Sequence, residues 1–273
     1  VTPAALTVNV TSDSKTYDGN AYAGGAGVSY AGFLNGDNAT VLSGTTTYAG
    51  SSQGALHVGS YILTANGQTA TNYTLSYTPG ALTISPKTIT ATLTANDKVY
   101  DGTTTATGTL TLNGLVGSET LGKTFAAAFN SKDVASANLV TASSVQLSDG
   151  SGRAANYVLG SGQTASARIT PLSVNVTGVS AVGRVYDATT RATLTGTPVM
   201  TTIAGAGDAP VVAGTALAVF GDANAAANKP VTVTGYSLSG TGASNYALVQ
   251  PSGLTATIAQ ATLNVIANAD AKL

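Results

Sequence analysis

The chain is written three times over. Tyr17-Asp18-Gly19 returns as Tyr100-Asp101-Gly102 and again as Tyr186-Asp187-Ala188, at steps of 83 and 86 residues. A basic residue stands two places before each tyrosine: Lys15, Lys98 and Arg184. A second marker, Asn72-Tyr73, returns as Asn156-Tyr157 and Asn245-Tyr246. A third is a closing run, Leu82-Thr83-Ile84-Ser85-Pro86, matched by Ala167-Arg168-Ile169-Thr170-Pro171 and by Ala256-Thr257-Ile258-Ala259-Gln260. Three markers in one order at one spacing define a repeating structural unit, and no fold that ignores the period fits. The modules run 1–86, 87–171 and 172–260. The tail 261–273 reads as the opening strand of a truncated fourth module, because its Ile266–Lys272 stretch echoes Leu93–Lys98.

Each module alternates apolar and polar residues. Leu6, Val8 and Val10 are interleaved with Thr7 and Asn9, and the pattern returns at Ile89, Ala91 and Leu93 and at Leu172, Val174 and Val176. Period two is the signature of a half-buried strand, and Val and Thr suit the pleat. Helical periodicity is missing, and glutamate occurs once, at Glu119. The predicted fold class is therefore all-β, as three tandem small modules. Each is either an Ig-like sandwich or a grasp-like sheet whose short helical crossover falls at Asn35–Leu42 or Gly117–Phe125.

A unit of about 85 residues buries too little surface to be robust alone, and with no cysteine there is no disulfide to help. Half of the twelve tyrosines fall at the two repeated positions: Tyr17, Tyr73, Tyr100, Tyr157, Tyr186 and Tyr246. Their rings are expected to be core anchors, with each hydroxyl on a backbone partner. Asp18, Asp101 and Asp187 recur with them as turn residues. Gly19 and Gly102 allow positive φ there, and Ala188 is expected to force a different turn. The linkers Ser85–Thr88 and Thr170–Pro171 are short and contain a proline, so successive modules should sit end to end as an elongated rod.

The ordered set Lys-x-Tyr-Asp-Gly, Gly32-Phe33-Leu34-Asn35-Gly36-Asp37, Asn-Tyr and Leu-Thr-Ile-Ser-Pro resembles the MBG/YDG repeat modules of large secreted bacterial adhesins. Residues 1–86 resemble the MBG type; 87–171 and 172–260 resemble the YDG type. The resemblance implies a stalk segment of a filamentous-haemagglutinin-like surface adhesin serving adhesion or biofilm formation. It further implies two-partner secretion through an outer-membrane transporter, an extracellular location at the cell surface, and neighbouring modules of one long chain as the main partners. The sequence shows neither a basic-then-apolar leader nor an apolar run long enough to span a membrane as a helix, and so reads as a middle segment.

Composition narrows the chemistry. Eleven basic and twelve acidic residues give a formal charge of −1, which supplies no field for nucleic acid. The only histidine, His57, lies between strands of one module, where an edge-strand or solvated role is expected. Acidic residues recur once per module, whereas catalysis needs a unique constellation, so no enzyme, cofactor or metal site is expected. A calcium nonapeptide is only approached, at Gly24–Ser29, and does not iterate. Asn-x-Thr sequons stand at Asn9, Asn38, Asn72 and Asn175 as candidate glycosylation sites. The alternative function is binding of host or biofilm carbohydrate, centred on 1–86, whose Tyr22, Tyr30, Tyr48 and Tyr77 are free of the repeated positions.

Overall fold

Alternation of buried and exposed side chains becomes strand throughout the computed structural model of the protein, which describes residues 1–267. The fold is all-β, with 52% strand against 3% helix. Leu6 and Val8 are fully buried on the opening strand Ala4–Val10, and Leu82 and Ile84 on the closing strand Gly80–Ser85.

Strand pairing repeats with the sequence. In the first module Ala4–Val10 pairs parallel with Tyr73–Thr78 and antiparallel with Val28–Ala31. The short motif strand Asp13–Thr16 pairs parallel with the closing strand, which pairs antiparallel with Gly59–Asn66. The second module repeats both parallel pairs, joining Tyr157–Leu159 to Lys87–Ile89 and Ile169–Thr170 to Lys98–Val99. The third does so with Leu172–Asn175 beside Tyr246–Val249, and Arg184–Val185 beside Ile258–Ala259. Parallel partners need a long crossover. Here most of a module lies between them, and that crossover is itself made of strands.

No α-helix occurs among the described residues. The segment Asn35–Leu42, predicted as a possible helical crossover, holds one 3-10 turn at Ala39–Val41, and Gly117–Phe125 is largely the start of the strand Leu121–Phe129. Val and Thr beside glycine outweigh helix propensity there. The tail also departs from expectation. Residues 261–267 form no strand and are exposed, while the rest of 261–273 lies outside the described residues. The physical reason is pairing: an opening strand in this fold needs the strand that follows Asn-Tyr, and the sequence holds only three of those.

The chain forms two compact units. One comprises Val1–Thr94, Thr109–Ala126 and Ala142–Thr164; the other comprises Ala95–Gly108, Ala127–Thr141 and the chain from Ala165 on. Each unit takes in one end module and part of the middle one, so each contains one junction between successive repeats. In the first unit, one apolar cluster runs from Tyr17, Leu82 and Ile84 to Ile89, Leu121 and Tyr157, crossing from the first repeat into the second. The strand Gly80–Ser85 passes to Lys87–Ala95 through Pro86 alone. In the second unit, Pro171 alone separates Ile169–Thr170 from Leu172–Asn175.

Candidate functional site at the repeat junctions

Lys-x-Tyr-Asp-Gly folds the same way each time. The basic side chain pairs with the aspartate three residues on, at 2.7 Å for Lys15–Asp18 and Lys98–Asp101, and in the Arg184–Asp187 pair. It also donates to a carbonyl five residues on, at Asn20, Thr103 or Thr189. The aspartate accepts the N–H two residues on, closing an Asx turn. The tyrosine N–H bonds to the end of the closing strand: Tyr17 to Ser85, Tyr100 to Thr170, Tyr186 to Ala259. These exposed ion pairs add little stability. Their effect is to hold a tight loop with the tyrosine at its apex.

The third residue of the loop has positive φ in every copy: 78° at Gly19, 77° at Gly102 and 62° at Ala188. The expectation of a different turn at Ala188 is therefore wrong. The bonds made by Asp187 and Arg184 over-determine the loop, and they carry an alanine into a region that costs roughly 1–2 kcal/mol.

In the first unit the apex residue Tyr17 reaches the second repeat. It is 2% exposed, and its hydroxyl donates to Glu119 Oε1 at 2.5 Å. Tyr157, of the second Asn-Tyr pair, donates to the other oxygen of the same carboxylate and accepts the Val116 N–H. The two rings meet edge to face, with centroids 5.4 Å apart. The neighbouring Asn156 is 1% exposed and faces back to the first repeat. It accepts the Val58 N–H at 3.1 Å, and its Nδ2 lies 3.1 Å from His57 Nδ1. Gly19 makes the approach possible, since a Cβ there would lie 2.6 Å from Val116 Cγ1.

The second unit repeats this construction. Tyr100 donates to Asp208 Oδ2 at 2.5 Å, and Tyr246 donates to the same oxygen at 2.9 Å. Their rings are 5.5 Å apart, again edge to face. Asn245 accepts the Val134 N–H at 2.9 Å and donates to Asp133 at 3.0 Å. A Cβ on Gly102 would sit 2.9 Å from Ala206 Cβ. The Asp208 side chain is only 2% exposed, and a charge so placed must be compensated. Lys132, 3.5 Å away, and the two hydroxyls do so. Burial works against the charged form of Asp208, yet these partners outweigh it and hold the carboxyl below its ordinary value.

The tyrosines are displaced the other way. Burial, reinforced by Glu119, pushes the Tyr17 hydroxyl up to about 12; burial and Asp208 push Tyr100 up to about 12. A raised tyrosine value means that the unfolded chain loses its proton first. The contribution to stability is whole below the ordinary value of 10.0 and is lost as pH climbs toward 12. Urea midpoints should accordingly fall steeply between those two values. In Tyr17→Phe plus Tyr100→Phe the fall should be shallower, and an identical fall would refute the assignment.

The repeated residues thus meet in pairs, and the pair comes from two successive repeats. Buried rings were expected; the partners were not, because the hydroxyls converge on carboxylates that the sequence reading did not select. Tyr186, expected to be buried, is 43% exposed. Tyr73 is buried on its own module's Asp37, donating at 2.8 Å and accepting the Leu34 N–H. The missed acceptors are Asp37, Glu119 and Asp208. Each stands one or two residues after a mid-module glycine, and Glu119 is the chain's only glutamate. His57, expected on an edge strand or in solvent, lies instead at the first junction. Tyr22, Tyr48 and Tyr77 pack around Val10, Leu63 and Ala65, Tyr22 also donating to Asp13, and Tyr30 is hydrogen-bonded to Gln68. They form no open aromatic face. No group of three His, Cys, Asp or Glu side chains suited to a metal occurs among the described residues.

Such sites define a protein of tandem β-modules in which the apex tyrosines of the first and second modules are each received by the module that follows. The YDG domain family matches residues 2–80, 85–167 and 170–265, and the chain belongs to that family. The first match covers the repeat whose internal motifs resemble the MBG type. No curated protein sequence matches the chain.

Proposed function

We propose that this chain is a stalk segment of a large bacterial surface adhesin, spacing a binding head from the cell and performing no catalysis itself. One observation carries the reading: the same tyrosine–carboxylate–tyrosine lock is built at both repeat junctions, each spanned by a single proline. A lock repeated at every junction resists bending and slippage between modules, which is what a spacer requires. An active site would need a constellation that occurs once. The resemblance to adhesin modules adds the setting, with export by two-partner secretion to the cell surface.

Small-angle scattering tests the spacer. A compact particle of this length has a radius of gyration of about 19 Å. Three modules of roughly 30 Å in a row should give about 26 Å or more. A value near the compact limit would overturn the spacer reading. The carbohydrate alternative, centred on 1–86, has no comparable observation in its favour.

A further inference from the structure

The two junctions differ at one position. In each, the Oδ1 of a buried asparagine accepts the N–H of a valine from the preceding repeat: Asn156 from Val58, Asn245 from Val134. In each, the asparagine Nδ2 meets the side chain of the residue just before that valine. At the second junction this residue is Asp133, at 3.0 Å; at the first it is His57, at 3.1 Å.

The Val58 contact fixes what the imidazole must be. An N–H is accepted by the amide oxygen alone, so the amide nitrogen faces His57 Nδ1 as a donor. Nδ1 is then the bare nitrogen of a neutral ring, with the ring proton on Nε2. A second proton, on Nδ1, would set N–H against N–H. Turning the ring aside would leave an N–H of Asn156, a residue 1% exposed, without that acceptor. The proton and the hydrogen bond compete for one lone pair, on a ring that is only half-buried and so open to solvent protons.

We propose that His57 makes the junction of the first and second repeats a pH-sensitive latch, closed while the imidazole is neutral and loosened in mild acid, while the second junction stays closed. Imidazole is the side chain type that takes up its proton between about pH 5 and 8. The titratable groups around the pair come from both repeats. Tyr61 donates its hydroxyl to the His57 carbonyl, Tyr17 and Tyr22 come from the start of the first repeat, and Arg153, Tyr157 and Glu119 from the second. The ordinary ranges of those residue types lie outside the imidazole window. Among the described residues no ion pair to His57 forms, so no carboxylate contact favours the charged ring.

The sign follows from the competition. The open junction takes the proton more readily than the closed one, so this contact stabilises fully above the imidazole range and less as pH falls through it. At the second junction Lys132, and after it Asn245, hold the Asp133 carboxyl below its ordinary value, so that acceptor keeps its charge through mild acid. The inference does not depend on the stalk reading.

Amide exchange of the intact protein at about pH 8 and about pH 5 tests the latch, each rate taken relative to an unfolded amide at the same pH. Protection at Val58 should fall about fivefold or more in acid, the lower bound for a buried donor left without its acceptor, while Val134 keeps its protection. His57 is the chain's only histidine, so its ring proton resonance is unambiguous, and its midpoint should coincide with the loss at Val58. His57→Asn places a carbonyl oxygen near the position of Nδ1 and does not titrate, so Val58 should then be equally protected at both pH values. Unchanged protection at Val58 in the wild type, an equal fall at Val134, a midpoint apart from that of the ring, or a fall that persists in His57→Asn would each overturn the proposal.

Discussion

Tyr100→Ala should destabilise the protein by about 3 kcal/mol, a loss of roughly 6–12 °C in Tm for a cooperative unit of this size. Two contributions add. Removing a ring that is 2% exposed deletes its packing on Tyr246 and leaves a cavity in its place. Removing the hydroxyl also takes a donor from Asp208, whose side chain is 2% exposed. Tyr100→Phe separates the two, since it keeps the ring and should cost about 1.5–3 kcal/mol, the usual value of a hydrogen bond to a charged group. The disturbance belongs to the junction of the second and third repeats. Amide exchange should therefore quicken at Ile203 and Val134 together, while Ala4–Val10 stays protected. A melt within about 1 kcal/mol of wild type would show that the ring anchors nothing.

Asp208→Ala should be at least as damaging, at about 3–5 kcal/mol. The carboxylate is the one acceptor shared by Tyr100 and Tyr246, and it also faces Asn245 and the Lys132 ammonium. Without it, two buried hydroxyls lose their carboxylate acceptor together, and the half-buried Lys132 ammonium keeps only Asp133. The loss should not add to that of Tyr100→Phe: a double-mutant cycle should return a coupling of about 1 kcal/mol or more. There is an acid signature too. A carboxyl held below its ordinary 3.8 stabilises the fold fully above that value and less as pH falls through it. The wild type should lose stability on acidification where Asp208→Ala loses less. Parallel acid profiles would remove Asp208 from the lock.

How much of this was legible can be seen at Tyr17. Its recurrence, the lysine two places before it and the glycine two places after it are in the sequence, and they point to a buried ring on a tight turn. That the ring is buried by the following repeat is not there, because periodicity assigns a residue to a face and leaves open which copy of the repeat covers that face. Glu119 and Asp208 show the same limit from the other side. Glutamate and aspartate in a glycine-rich turn look like solvated loop residues until Tyr17 or Tyr100 arrives. His57 gave no signal at all, since its partner Asn156 lies 99 positions away. The tail and the expected helical crossovers failed for a related reason. Local propensity cannot report whether a pairing partner exists.

The sequence by itself determined the period, the β class and which residues recur, because alternation, turn chemistry and repetition are local properties of a chain. Tertiary structure alone decided that those positions act across repeats: two tyrosines from successive copies on one carboxylate, and an asparagine reaching back. The physical reason is that hydrogen bonds and ring contacts are made by proximity in space, and repeats with the same markers can be packed in many ways that satisfy the same pattern.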